Sequence, residues 1–437
     1  MSVPENQKDI LSSWKEIADY LNCGVRTCQR WEKEAELPVY RLLESSRARV
    51  FAYKKELDRW LSQRSYQGQK SHWRSINLLI LGLVPVVLFF LLFKRPVSSE
   101  PNDFRIEGSE LVMLNKQSQE LWRFETGIAN LRDEEFYRNH FQVRKNSEYH
   151  DGLDYPFLII RDIDNDKKKE VLFIPISIVL GESKERLICL DSEGKIKWWF
   201  EPGRTMTFGE KTYSNKYTVK GLGVTDINQD NLLEIFMISN NMDMFPTQLA
   251  VLDHSGKLQR EYWNSGRIHD FSFCDLDKDG AKEILLGGCN NEYDKGFLAV
   301  LEPDFRSGGS PQNGYYKSPD LAQGVEKHYI LFPVTDFGKA ELMRDPIIRI
   351  SIIDGKAVST STRSGQIFEF DFNFILKEIR FSDRYETLHN EAFQKNITKR
   401  PFSPRVMAEI KSELMTQVLC YDGENWIQHP VMANSFK

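Results

Sequence analysis

Three stretches of the chain repeat one acidic pattern, and nothing else in the sequence restricts the fold as tightly. They are Asp162-Ile-Asp164-Asn-Asp166-Lys-Lys-Lys-Glu170, Asp226-Ile-Asn228-Gln-Asp230-Asn-Leu-Leu-Glu234 and Asp275-Leu-Asp277-Lys-Asp279-Gly-Ala-Lys-Glu283. Each offers oxygen ligands at loop positions 1, 3, 5 and 9. A hard cation such as calcium takes about six to eight oxygens, and alternating acidic side chains in a tight loop converge on one point. The predicted metal ligands are therefore Asp162, Asp164, Asp166 and Glu170; Asp226, Asn228, Asp230 and Glu234; and Asp275, Asp277, Asp279 and Glu283. Position 6 favours a positive φ, which suits Gly280, is acceptable for Asn231 and is poor for Lys167. The lysines after Asp166 oppose a divalent ion, so loop 162–170 ranks last and loop 275–283 first.

The flanks of these loops are not those of an EF-hand. Residues 157–160, 221–224 and 271–273 precede them, 171–174, 235–238 and 284–286 follow, and none has helical periodicity. The unit is strand, cation loop, strand. The first two units continue into hairpins over 187–199 and 249–260, each turning on Asp-x-x-Gly. Similar strands recur at 111–124, 297–301, 366–379 and 417–427. Four strands per unit, repeated, make β-propeller blades. Over residues 155–305 the loops and their flanks resemble the FG-GAP/VCBS repeat family of integrin-α-like propellers. That resemblance implies calcium in the loops and a role in recognition; the calcium either pins one turn per blade, the mainly structural reading, or takes part in ligand sensing. Residues 335–341 read as a shortened fourth copy without a cation site, and the length fits six or seven blades.

Residues 76–93, INLLILGLVPVVLFFLLF, carry no charge. As a helix at about 1.5 Å per residue the run covers roughly 27 Å, close to a bilayer's hydrocarbon core. Asn77 and Pro85 are tolerable in such a helix. About seventy-five residues precede it and no small-residue cleavage site follows, which argues against a signal peptide. Lys55, Arg59, Arg64, Lys70 and Arg74 lie before it, and Lys94, Arg95 and Arg105 after it. The positive-inside bias then puts the N-terminus in the cytoplasm, with Trp73 as an interfacial anchor.

Charge divides the same way. Residues 1–74 hold 14 Lys and Arg against 10 Asp and Glu, whereas residues 94–437 hold 44 against 53. A basic small part suits nucleic acid, an acidic large part suits cations. Cys189, Cys274, Cys289 and Cys420 have no spacing that dictates pairing, and Cys23 and Cys28 read as small buried hydrophobes.

Within the small part, Ser13 and Glu16 form a capping box that opens a helix with Trp14, Ile17, Ala18 and Leu21 on its apolar face. Asn22-Cys23-Gly24 turns the chain into a second helix with Val25, Cys28 and Trp31 inward and Arg26, Thr27, Gln29 and Arg30 outward. Helix, short turn, helix is the arrangement whose second helix reads the major groove, and Arg and Gln can bond base edges bidentately. After Pro38 the period falls to two, predicting a hairpin wing with Arg41, Arg47 and Arg49 available to phosphates, then a last helix packing Leu57, Trp60 and Leu61 on the core. Residues 11–62 closely resemble the winged helix-turn-helix of the MerR/excisionase-like family. The resemblance implies DNA binding through Arg26, Thr27, Gln29 and Arg30 and through Arg47 and Arg49 of the wing.

The expected architecture is multidomain: a small α+β winged helix-turn-helix over 1–62, a juxtamembrane linker over 63–75, one transmembrane helix over 76–93, and an all-β propeller of six or seven blades over 94–437. The expected function is a single-pass regulator of the cell inner membrane. DNA binding in the cytoplasm would be controlled by an extracytoplasmic ligand or protein on the propeller, through homodimerisation. The alternative is a membrane-anchored adhesion or interaction propeller whose small domain docks a protein. Catalysis is not expected: no His-rich metal cluster, G-x-S-x-G motif or phosphate loop is present.

Overall fold

The structure is a computed structural model that describes residues 9–42, 49–65, 98–141, 155–179, 181, 184–242, 244–341 and 344–429. Contacts divide the chain into two units, Met1–Val97 and Ser98–Lys437.

The N-terminal unit runs strand Ile10–Leu11, helix α1 (Trp14–Tyr20), helix α2 (Val25–Ala35), strands Tyr40–Leu42 and Arg49–Tyr53, and helix α3 (Lys54–Ser65). Ser13 caps α1 by accepting the Glu16 N–H at 3.2 Å, and Glu16 reaches back to the N–H of Ser12 at 2.8 Å. The box is therefore reciprocal but closes one residue earlier than its usual partner. Asn22 takes a positive φ in the turn, and Glu36 ends α2 in the left-handed region. Ile17, Ala18, Leu21, Cys28, Val50, Ala52 and Leu57 form the core. The Trp60 indole donates to the Ala35 carbonyl at 2.9 Å, tying α3 to the end of α2, while Leu61 is 41% exposed and lies off the core. Cys23 and Cys28 are free thiols with sulfurs 3.1 Å apart. Burial, then the neighbouring sulfur, pushes the Cys28 thiol up to about 12, so it behaves as a hydrophobe.

The second unit is built of antiparallel sheets taken in chain order. Blade 1 is Asp103–Glu107, Glu110–Leu114 and Glu120–Glu125. Blade 2 is Leu158–Arg161, Glu170–Phe173, Leu187–Leu190 and Ile196–Phe200. Blade 3 is Tyr217–Thr225, Glu234–Asn241, Thr247–Leu252 and Leu258–Asn264, with Gly308–Gly309 paired parallel at its edge. Blade 4 is Ile268–Cys274, Glu283–Asn290, Lys295–Leu301 and His328–Leu331. Blade 5 is Ile347–Ile353, Ala357–Thr362, Gln366–Asp371 and Leu376–Phe381. The chain's last strands, Leu419–Tyr421 and Trp426–Gln428, do not join blade 1; they extend blade 4 outside His328–Leu331.

Successive side chains of a strand point to opposite faces. Met237 packs in the core shared by blades 1, 2 and 3, and its neighbour Phe236 in the core shared by blades 3 and 4. Leu286 faces blade 3 and Leu285 faces blade 5 in the same way. Strands buried on both faces read as unbroken apolar runs, which is why the second strand of each of these blades shows no alternation. The first strands meet at a common axis. The Tyr155 ring stacks on Phe271 with centroids 4.0 Å apart, and its hydroxyl bonds the Asp270 carboxylate and lies 2.6 Å from the Phe271 N. The other Asp270 oxygen accepts the Ile350 N–H at 2.5 Å. Gly221 passes so close that a Cβ there would collide with Tyr155. Residues of blades 2, 3, 4 and 5 thus converge on one point, the arrangement of a β-propeller.

Four expectations are corrected. No helix among the described residues is long and apolar enough to cross a membrane. The described helices reach 12 residues, roughly 18 Å, against about 30 Å of hydrocarbon. The fold class with a transmembrane helix as one of its parts is therefore not what the structure shows, and residues 76–93, like the linker from 66 onward, lie outside the described residues. The second unit is not all-β: it carries α4 (Glu134–Phe141), α5 (Asp336–Glu341), α6 (Asp383–Gln394) and α7 (Pro404–Met415). The described residues form five blades rather than six or seven, because the chain after blade 5 folds into α6 and α7. Ser382 and Ser403 cap these helices, and Tyr385, Ile410 and Leu414 seal the core between blades 4 and 5. Residues 335–341, expected as a degenerate loop, hold α5.

Candidate functional site

The three acidic loops each join the first two strands of a blade, in blades 2, 3 and 4, and they share one hydrogen-bond scheme. The position-6 N–H donates to position 1: Lys167 to Asp162 at 2.9 Å, Asn231 to Asp226 at 3.0 Å, Gly280 to Asp275 at 3.1 Å. The position-2 N–H donates to the position-9 glutamate: Ile163 to Glu170 at 3.1 Å, Ile227 to Glu234 at 3.0 Å, Leu276 to Glu283 at 2.9 Å. Position 5 accepts from the N–H of position 7 in all three. Position 6 has positive φ throughout, Lys167 included, so the ring of bonds outweighs the side chain's preference. Position 4 is also left-handed at Asn165, Gln229 and Lys278, a feature the pattern did not suggest.

What neutralises the carboxylates differs between loops. In blade 2 the Lys197 ammonium sits 2.7 Å from Asp164 and 3.1 Å from Glu170, which is only 2% exposed. Burial acts to raise Asp164, but the bonds from Lys197 outweigh it and hold that carboxyl low. In blade 4 Lys327 lies 2.7 Å from Glu283, 2.9 Å from Glu302 and 3.0 Å from Asp277. The bond from Lys327 is the main cause that lowers Asp277. In blade 3 position 3 is the neutral Asn228, and Glu234 is pushed up by burial.

Fit to a divalent cation follows from these contacts. In every loop one position-1 oxygen is buried with no hydrogen-bond partner: Asp162 Oδ1, Asp226 Oδ1 and Asp275 Oδ1. Oxygens of Asp162, Asp164 and Glu170 lie within 4.8 Å of one another, as do those of Asp275, Asp277 and Asp279. Such orphaned oxygens suit a cation. In blades 2 and 4, however, positions 3 and 9 already hold an ammonium. The group Asp277, Glu283 and Glu302 is a lysine cage, since Lys327 touches all three. The loops in blades 2 and 4 therefore fit calcium poorly. In blade 3 the Lys282 ammonium lies 3.1 Å from the Asp226 carbonyl rather than on a carboxylate, but Asp226, Asp230 and Glu234 do not gather within 4.8 Å of one another as the acids of the other two loops do. Lys197 and Lys327 lie 27 and 44 residues beyond the glutamates they bridge, so no local pattern marks them.

In the N-terminal unit Arg26, Gln29 and Arg30 are exposed on one face of α2 and Thr27 is half-buried, while Cys28 and Ala35 point into the core. Arg30 lies 3.8 Å from Glu34 one turn on, both exposed. Arg41 makes a two-pronged pair with Glu32 of α2, at 2.8 and 3.1 Å, which fixes the hairpin against the helix. Arg49 is exposed; Arg47 lies outside the described residues.

No protein-family model matches the chain, and no curated protein matches it. Among solved structures it is similar to BamB from Moraxella catarrhalis, with 12% identity, 64% of this chain and 62% of that one covered, and a TM-score of 0.30. It is similar to the Dos1 propeller, with 9% identity, coverage of 61% and 62%, and a TM-score of 0.31. It is also similar to the rhamnogalacturonan lyase YesW, with 14% identity, coverage of 65% and 53%, and a TM-score of 0.31. The chain spans less than two thirds of the length of each of these proteins.

Proposed function

We propose that the protein is a DNA-binding regulator in which α2 reads the duplex and the propeller unit receives the controlling ligand or partner. The observation that carries the reading is the division of α2. One face is buried on the core, and the other presents Arg26, Gln29 and Arg30 to solvent beyond a short turn from α1. Arg26, Gln29 and Arg30 would contact base edges, with Thr27 and Arg49 on phosphates. Arg41, already held by Glu32, positions the wing instead. Two copies associated through their propellers would set two such helices on adjacent half-sites.

The acidic loops serve chiefly to pin one turn per blade. An ammonium takes the cation's place in blades 2 and 4, and calcium is proposed for loop 226–234 alone.

The test is a titration of duplex DNA against salt. Binding should weaken steeply with salt; Arg26→Ala with Arg30→Ala should cut affinity at least tenfold and relax sequence preference, while Arg49→Ala should flatten the salt dependence by about one unit of slope. No binding to any duplex at low salt would remove the reading.

A further inference from the structure

The rim of the propeller opposite the acidic loops holds a feature of the other sign. Arg267 stands at the start of the first strand of blade 4, Ile268–Cys274, whose far end leads into loop 275–283. Arg344 precedes the first strand of blade 5, and Arg363 lies in the turn between that blade's second and third strands. These three guanidinium groups, together with His269 and Asn291, line one cavity of about 270 Å³, closed on another side by Phe245 and Pro346. Among the described residues that line it there is no carboxylate. Arg344 pairs with Asp294 at 2.9 Å, a residue outside the lining that is itself well exposed. Arg344 also donates to Asn291 at 2.7 Å, which aims the guanidinium along the cavity wall. The Cys289 thiol at the same cavity is raised by burial and opposed by Arg344, Arg267 and Arg363 together, so all three charges bear on one point.

Residues 94–437 carry more Asp and Glu than Lys and Arg, 53 against 44. Three arginines drawn from three chain segments into one cavity without a lining carboxylate are therefore not a sample of the surrounding charge. Guanidinium is the group suited to planar, forked recognition of oxyanions, and such a cluster concentrates the field of an anion's counter-charge. The volume lies just below the range of drug-sized pockets, roughly 300–1,000 Å³, so the ligand is small.

We propose that this cavity binds a small phosphomonoester, its phosphate held by Arg267, Arg344 and Arg363 and its carbon skeleton against Phe245 and Pro346. The site lies wholly in the propeller unit and stands whatever the N-terminal unit binds.

The experiment uses the full chain at constant ionic strength. Thermal shift and calorimetry are run with inorganic phosphate, ribose 5-phosphate and succinate, with chloride as the reference. Ribose 5-phosphate should bind saturably and more tightly than inorganic phosphate, and Arg267→Lys and Arg363→Lys, which keep the charge but lose the fork, should each raise its Kd at least tenfold. A second readout needs no variant: inorganic phosphate should slow modification of Arg267, Arg344 and Arg363 by phenylglyoxal in the wild-type protein, read by mass spectrometry. The proposal is overturned by absence of saturable binding beyond chloride, by binding that both lysine variants retain, by phenylglyoxal reactivity indifferent to phosphate, or by succinate binding as tightly as ribose 5-phosphate.

Discussion

Replacing Lys327 with Met tests whether an ammonium, rather than a metal, holds the blade-4 loop. The lysine side chain is 28% exposed and meets Glu283, which is 2% exposed, at 2.7 Å. Its other partners, Glu302 and Asp277, are 41% and 48% exposed. Breaking a fully buried pair costs roughly 3–5 kcal/mol, whereas an exposed pair contributes about 0–1 kcal/mol. The contact with Glu283 dominates, and partial access of water to Lys327 places the loss near 2 kcal/mol. For a unit of this size that is a fall of about 3 °C in Tm. Most of the loss comes from leaving Glu283 buried without a counter-charge, so the double variant Lys327→Met, Glu283→Gln should recover at least about 1 kcal/mol of the summed single effects. Urea unfolding of the four proteins of this cycle supplies the comparison. Single losses that add to within about 0.5 kcal/mol would show the two groups to be uncoupled and would refute the reasoning.

Two other outcomes are expected. The Glu326 carboxyl accepts from the buried Tyr262 hydroxyl at 2.6 Å and is pushed up to about 7 by burial. A carboxyl raised above its unfolded value gives stability that is complete below the unfolded pKa of about 4.3 and is lost as pH climbs toward 7, here about 4 kcal/mol; Glu326→Gln should flatten Tm across that window and exceed wild type at pH 8. Calcium titrated by calorimetry should bind as one equivalent per chain, and Asp226→Asn, which alters the carboxylate of the orphaned oxygen, should abolish that heat while Asp164→Asn leaves it.

The strand–loop–strand units were legible because their determinants are local. Alternating acids, a turn residue and flanking apolar runs all lie within a few residues of one another, and the loops fall where the pattern put them. The same holds for α1, α2 and the hairpin of the small unit. What escaped was whatever depends on distant chain. Lys197 and Lys327 meet their glutamates only through blade pairing. The arginines at 267, 344 and 363 are unremarkable singly and come together only at the rim. Segment 383–415 lies within the stretch expected to be all-β, although Ser382 and Ser403 followed by amphipathic runs are helix-start signals. The ammonium groups that hold Glu170 and Glu283 come from outside the loops, so a ranking drawn from loop residues alone does not weigh them.

The final pair of strands carries a consequence for biosynthesis. Blade 4 is begun at Ile268 but its outermost members come from residues 419–428, with all of blade 5 and three helices emerging in between. Until the ribosome has delivered nearly the whole polypeptide, His328–Leu331 presents a bare edge that invites pairing with a foreign strand. Stop codons or carboxyl-terminal fusions upstream of Leu419 should therefore yield insoluble product rather than a propeller one hairpin short.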